Sequence, residues 1–288
     1  MQSFDRIMLA VDLRQGTQDV LDAGAYLASQ FDSEIVLFHA IPEVKGSPIP
    51  LQDLRVEAEN LLDQARSGIL QGRSFRIRTA VDIGPPVRSI NEAAHRYDVD
   101  AIVMGSGTKE PGERFQLGFT AEQIMRYSNR PVLLIKAGQA LRIDAILCPV
   151  DFSDHSSLAL EHALSLARAF NAKLAVVNVV EDISNVYPGR PVLEPQTIGS
   201  YTEEQKAEFD RFLSSFDFEG VTAEKLLLLG KPHEEILKLV RDRGCHLIVM
   251  GSEGRTGFVR LIMGSVAEKV IREVPCTVLT VKNKAAQP

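Results

Sequence analysis

Apolar and polar positions follow the same order twice along this chain. In the first half, near-continuous apolar runs at Ile7–Val11, Ile35–Ile41, Phe75–Val81, Ala101–Met104 and Val132–Ile135 predict strands. The amphipathic stretches between them, Thr17–Gln30, Leu51–Leu70, Val87–Tyr97 and Thr120–Tyr127, predict helices. In the second half the strands fall at Ala145–Val150, Leu174–Val180, Val221–Leu229, Leu247–Met250 and Thr277–Val281. Two more helical stretches there, Tyr201–Phe216 and Val266–Glu273, fit the same scheme. Strands that are apolar throughout belong in a parallel sheet covered on both faces.

The two halves are copies. An offset of 139 residues places Asp12 on Asp151, Ala28 on Ala167 and Phe31 on Phe170. Further along the offset becomes 146, and Gly84 meets Gly230, Met104-Gly105 meets Met250-Gly251, Gly118 meets Gly264 and Lys136 meets Lys282. The extra seven residues fall within Glu181–Ser200, a loop rich in Pro and Gly that could cover a site. The expected architecture is therefore α/β, with two tandem doubly wound parallel five-stranded sheets of Rossmann-like type. The expected domains are 1–140 and 141–288. In such sheets ligands lie beyond the carboxyl ends of the strands, where Asp151 and Gly251 both fall.

Composition narrows the function. The formal net charge of -6 in 288 residues disfavours nucleic acid and anionic membrane as partners. Each half carries about -3, so no basic domain is concealed. No apolar run approaches the roughly 18 residues of a membrane span. Met1–Arg6 leads into the first strand without a signal-peptide layout. Cys148, Cys245 and Cys276 are not spaced for a metal or redox motif. These features lead us to expect a soluble cytoplasmic protein.

The strongest chemical signal is Gly251, two residues, Gly254, nine residues, then Gly264-Ser265, set between a strand and a helix. Glycines let backbone N–H groups approach an anion, and a helix N-terminus adds unpaired donors and partial positive charge. Gly264-Ser265 thus reads as the floor of a phosphate site. Ser265 with Glu268 also reads as a capping box.

These motifs resemble the universal stress protein family, in its tandem form. The matching segments are Pro149-Val150-Asp151-Phe152-Ser153, Gly230-Lys231-Pro232-His233-Glu234-Glu235 and the Gly251/Gly254/Gly264-Ser265 pattern. The last is a mark of the ATP-binding branch. The resemblance implies an adenine nucleotide alpha hydrolase-like fold and an ATP site, with Mg²⁺ or Mn²⁺ accompanying the phosphates and no protein metal ligands named. It implies that Asp151 holds the ribose, that backbone near Val179 meets the adenine, and that the glycine loop wraps the phosphates. The site would then comprise Pro149, Asp151, Val179, Met250, Gly251, Gly254, Arg255, Gly264, Ser265 and Val266. Asp151 also reads as a turn or helix-capping aspartate. Arg255 and Arg260 read as phosphate partners or as solvated loop arginines.

The first half keeps Asp12, Gly105 and Gly118 but has Thr108 for Gly254, Phe119 for Ser265, Ala10 for Pro149 and Ala40 for Val179. Phe119 adds bulk and removes a donor, and Thr120 with Gln123 offers a replacement capping box. One competent ATP site and one degenerate site are expected.

Other motifs weaken. No Gly-Lys-Ser/Thr phosphate loop occurs, and His233-Glu234-Glu235-Ile236-Leu237 has Leu237 where a zinc-protease helix needs histidine. Ser153-Asp154-His155 are adjacent in sequence, so their side chains diverge and relay no proton. No base or nucleophile stands beside the expected phosphates, which leaves at most a slow ATPase or phosphotransferase. The expected function is a regulatory ATP-binding stress protein acting on a protein partner. The alternatives are the slow enzyme, or a binder of another small ligand in the first half. The resemblance further implies intramolecular pairing of the halves through Val132–Ile135 and Thr277–Val281, and a homodimer of chains is also expected.

Overall fold

The computed structural model describes residues 4–13, 17–44, 46, 48–70, 75–107, 117–138, 140–181, 195–253 and 263–282. The chain divides into two compact units, one running to Arg142 and taking in the segment from Cys276, the other Ile143–Pro275.

The first unit contains β1 (Arg6–Ala10), α1 (Thr17–Phe31), β2 (Glu34–Ile41), α2 (Leu51–Ile69), β3 (Ile77–Ile83), α3 (Pro86–Arg96), β4 (Ala101–Gly105), α4 (Phe119–Tyr127) and β5 (Val132–Ile135). It also holds β10 (Thr277–Val281). Its strands lie in the order β3-β2-β1-β4-β5, all parallel, and β10 closes the row antiparallel to β5. Val278 stands opposite Leu134 and Thr280 opposite Val132 in that antiparallel ladder. The pairing expected between these two strands is present. It removes the exposed edge that a short apolar strand such as β5 would otherwise present. The Lys282 ammonium then donates to the carbonyl of Arg126 at the end of α4.

The second unit contains β6 (Ala145–Pro149), α5 (Asp154–Phe170), β7 (Lys173–Val180), α6 (Pro195–Leu213), β8 (Ala223–Leu229), α7 (Pro232–Asp242), β9 (Leu247–Gly251) and α8 (Ser265–Glu273). Its strands lie parallel in the order β9-β6-β7-β8. The chain steps from β6 to β7 to β8 in one direction, then returns to place β9 on the other side of β6. The gap between the diverging loops after β6 and β9 is where α/β sheets bind ligands.

The central strands are buried on both faces, as their composition requires: Ile7, Leu9, Ile35, Leu37 and Ile102 in one unit, and Leu147, Val176, Leu247 and Val249 in the other, are inaccessible to solvent or nearly so. The outer strands β3 and β8 are only partly covered. β3 runs Ile77–Ile83 rather than Phe75–Val81, because the parallel ladder to β2 continues to Ile41 opposite Ile83. Each of these edge strands ends in a glycine with φ 150° (Gly84 and Gly230) whose N–H donates to the last residue of the neighbouring strand, at 2.9 Å and 3.0 Å. That φ favours glycine, so both repeats carry one there.

Neither expected capping box forms. The residue capping α8 is Gly264, with Ser265 the first helical residue, and the residue capping α4 is Gly118, with Phe119 first; neither cap makes a side-chain bond. Glu268 instead pairs with Arg272 at 3.1 Å, and Glu122 with Arg126 at 3.3 Å. The chain needs a β-like cap residue where it turns back over the sheet, and a glycine takes it, one position before Ser265 and two before Thr120.

Candidate functional site

The loop after β6 is built first. Asp151 Oδ1 accepts the backbone N–H of Ser153 at 3.2 Å and its hydroxyl at 2.6 Å. Ser153 is the N-cap of α5, its Oγ accepting from the Ser156 N–H at 3.2 Å. Between them Phe152 sits at φ 67°, a left-handed conformation uncommon for a bulky residue. The same turn recurs in the first unit, where Leu13 has φ 59° after Asp12. Asp151 therefore does serve as a turn aspartate, and the tight turn presents it at the mouth of the sheet. Phe152 packs against Phe209 and Phe212 of α6, with ring centroids 6.1 Å and 5.3 Å apart. This holds α6 beside the turn.

A cavity of about 460 Å³ opens there. Of the ten positions named from sequence, eight line it: Pro149, Asp151, Val179, Met250, Gly251, Gly264, Ser265 and Val266. Gly254 and Arg255 lie outside the described residues, as do Arg260, Thr108 and most of the loop between Glu181 and Ser200. The size is ordinary for a small-molecule site. Gly264 donates its N–H to the Ser252 carbonyl at 2.8 Å, which brings the start of α8 back over the end of β9. Ser265 is exposed in the wall, beside the positive end of a helix.

Gly251 has a second reason to be glycine. A Cβ there would stand 2.9 Å from His155 Cβ and 3.0 Å from the His155 backbone carbon, so the first turn of α5 lies directly on it. Its counterpart Gly105 would meet nothing closer than a Val20 methyl at 3.7 Å.

Sequence reasoning did not single out Asn178, Glu181, Gln205 or Glu253, which also line the cavity. Gln205 arrives only because α6 is docked by its aromatic residues. Glu253 lies with its carboxylate 3.7 Å from His155 Nε2. Asn178 does have a signal in sequence, since it is the polar interruption of an apolar strand. A recess of about 190 Å³ shares Glu181, Pro232, Ser265 and Val266 with the cavity and adds Lys231, His233 and Lys269. Lys231 pairs with Glu234 at 3.0 Å and holds that carboxyl below its usual range, mainly by hydrogen bonding. Among the described residues no group of three His, Cys, Asp or Glu is placed to hold a metal by itself.

In the first unit Asp12 is exposed and Ala40 buried. The Thr17 hydroxyl donates to Asp12 Oδ1 at a long 3.4 Å. Gly105 ends β4, and Gly118 donates to the Ser106 carbonyl at 2.9 Å, repeating the Gly264–Ser252 bond. Phe119, in the place of Ser265, is 74% exposed. Its bulk stands in solvent.

A doubly wound unit occurs twice, each copy carrying an aspartate turn beyond its first strand and a glycine-capped helix beyond its fourth. The family model for the universal stress protein family matches residues 3–136 and again 142–282, and the chain belongs to that family as a tandem of two such domains. Among its relatives, one universal stress protein of Methanocaldococcus jannaschii is 30% identical over 153 residues, which are 48% of this chain and 94% of that protein. A second from the same organism is 35% identical over 151 residues, 52% of this chain and 87% of that one. Among solved structures, a universal stress protein from Archaeoglobus fulgidus shares the fold with a TM-score of 0.74 at 23% identity, covering 97% of this chain and 99% of that one. No described helix is long and apolar enough to cross a membrane.

Proposed function

We propose that the second repeat, within a domain of residues 141–288, binds ATP as a regulatory ligand. The observation that carries this reading is the convergence of Pro149, Asp151, Val179, Met250, Gly251, Gly264, Ser265 and Val266 on one cavity of about 460 Å³ at the strand-order reversal. In this reading Asp151 receives the ribose hydroxyls, since one carboxylate can accept from several donors. The backbone at Val179 meets the adenine edge. The phosphates lie toward Gly264 and Ser265, where the start of α8 and the Lys231 and Lys269 ammoniums supply the attraction. Asp151, Glu181 and Glu253 put negative charge into the same wall. A divalent cation carried by the phosphates would offset it, so Mg²⁺ or Mn²⁺ is part of the proposal.

The described residues that line the cavity offer hydrogen-bond donors and shape, with no histidine, cysteine or lysine among them. We therefore assign it to binding that changes the protein's choice of partner in the cytoplasm, with turnover slow or absent. Titration calorimetry with MgATP tests this. We expect saturable binding that Gly264→Val and Asp151→Ala each weaken at least tenfold. Unchanged affinity in both variants would discard the site.

A further inference from the structure

Val150 is the last residue before Asp151, and both of its backbone polar groups are held. Its N–H donates to the Val177 carbonyl at 2.8 Å, and its carbonyl accepts Asn178 Nδ2 at 2.8 Å. The first repeat makes the same pair of bonds with different chemistry. Val11 N–H donates to Phe38 O at 3.0 Å, and Val11 O lies 2.8 Å from His39 Nδ1, which must carry the proton because a carbonyl only accepts. Amide and imidazole share little in shape. What they share is one N–H delivered to one carbonyl.

That carbonyl is not an arbitrary one. The parallel ladder between β6 and β7 ends with Pro149 opposite Val177. In a parallel ladder alternate residues of a strand bond to alternate neighbours. Val177 faces β6, Asn178 faces β8, and Val179 faces β6 again. Had the ladder run one step further, the Val179 N–H would have gone to Val150 O. The Asn178 side chain takes that acceptor, and Val179 opens onto the cavity. Asn178 is 7% exposed, and its Oδ1 is buried with no hydrogen-bond partner among the described residues. A buried acceptor left unsatisfied is costly, so stability alone does not account for an amide here.

We infer that Asn178 is a positioning residue for the ligand: by occupying the Val150 carbonyl it stops the β6–β7 ladder one residue short, which leaves the Val179 backbone amide for the base of the bound nucleotide and fixes the strand end from which Asp151 projects. His39 does the same for Ala40 and Asp12 in the first repeat. The inference rests on the ATP reading of this cavity, and it says which side chain keeps the base edge open.

The experiment compares MgATP with inorganic tripolyphosphate on the full chain, for the wild type, Asn178→Val and Asn178→His. The valine lets the ladder close, so ATP affinity should fall at least tenfold while tripolyphosphate affinity stays within threefold. The histidine, borrowed from the first repeat, should restore ATP binding to within threefold of wild type. Equal loss of both ligands in Asn178→Val, full ATP binding by that variant, or failure of Asn178→His to rescue would each overturn the inference. Amide hydrogen exchange of the unmodified protein gives an independent readout: Val179 should exchange rapidly without nucleotide and become protected by MgATP. A Val179 amide already protected in the free protein overturns the inference. A wild-type chain that binds no ATP in calorimetry removes the nucleotide reading itself, an outcome distinct from these.

Discussion

Asp151 and Ser153 are joined by two hydrogen bonds through a single carboxylate oxygen, at 3.2 Å and 2.6 Å, with Phe152 held left-handed between them. The turn and the proposed ribose contact thus draw on the same side chain, and substitution separates them. Asp151→Asn keeps an oxygen for the Ser153 N–H, so chemical denaturation should show little change while MgATP affinity falls. Ser153→Ala removes the α5 cap and should cost about 1 kcal/mol of stability, with a smaller effect on binding. If Asp151→Asn leaves affinity untouched, the carboxylate serves the turn alone.

Two equivalent glycines should respond differently to the same methyl group. In Gly251→Ala the new Cβ meets His155 Cβ at 2.9 Å and the His155 backbone carbon at 3.0 Å, so α5 must move. The expected loss is about 1–3 kcal/mol, typical of overpacking. Gly105→Ala has its nearest neighbour at 3.7 Å and should change stability by less than about 0.5 kcal/mol. Equal losses in urea denaturation would show that packing on α5 is not the reason for Gly251.

The repeats should also differ in nucleotide affinity. Phe119 stands in for Ser265 and supplies no hydroxyl, and each lost charge-assisted phosphate bond costs about 1.5–3 kcal/mol, roughly ten- to a hundredfold in affinity. Calorimetric stoichiometry near one ATP per chain is the expected result. Two equal sites would refute the asymmetry.

Lys136, at the end of β5, is 5% exposed. Burial lowers its pKa to about 8 from an ordinary 10.5, with Cys276 pulling slightly the other way. Between those values the unfolded chain keeps a proton that the folded chain has released, so stability rises as pH increases from about 8 to about 10.5. Below the folded value, the buried charge is a net cost. Lys136→Met should remove this rise and stabilise the protein at neutral pH, by about 3 kcal/mol at most. Thermal melts across that pH window check it, and an identical slope in the variant would refute it.

Much of the molecule was legible because duplication writes every signal twice. The strand runs and the glycine pairs Gly84/Gly230, Gly105/Gly251 and Gly118/Gly264 were visible as repeated spacings, and the family resemblance suggested the edge pairing of β5 with β10. Eight of the ten site positions that the family resemblance implied line one cavity, because a parallel sheet carries the ends of its strands to a common rim. Helix starts were less legible. Ser265 and Thr120 looked like caps by spacing, but where a helix begins depends on how the chain enters it, and Gly264 and Gly118 enter with extended backbone.

Sequence by itself determined the repeat, the class of fold and the residues gathered at the strand ends, because hydrophobic period and glycine spacing are local properties of the chain. Tertiary structure decided the rest. Only packing shows that Gly251 makes room for His155, and that α6 is pinned by Phe152 and so brings Gln205 to the cavity. Only the end of a ladder reveals which carbonyl Asn178 holds. Each of these depends on atoms far apart in the chain meeting within a few ångströms, and no spacing along the sequence records that distance.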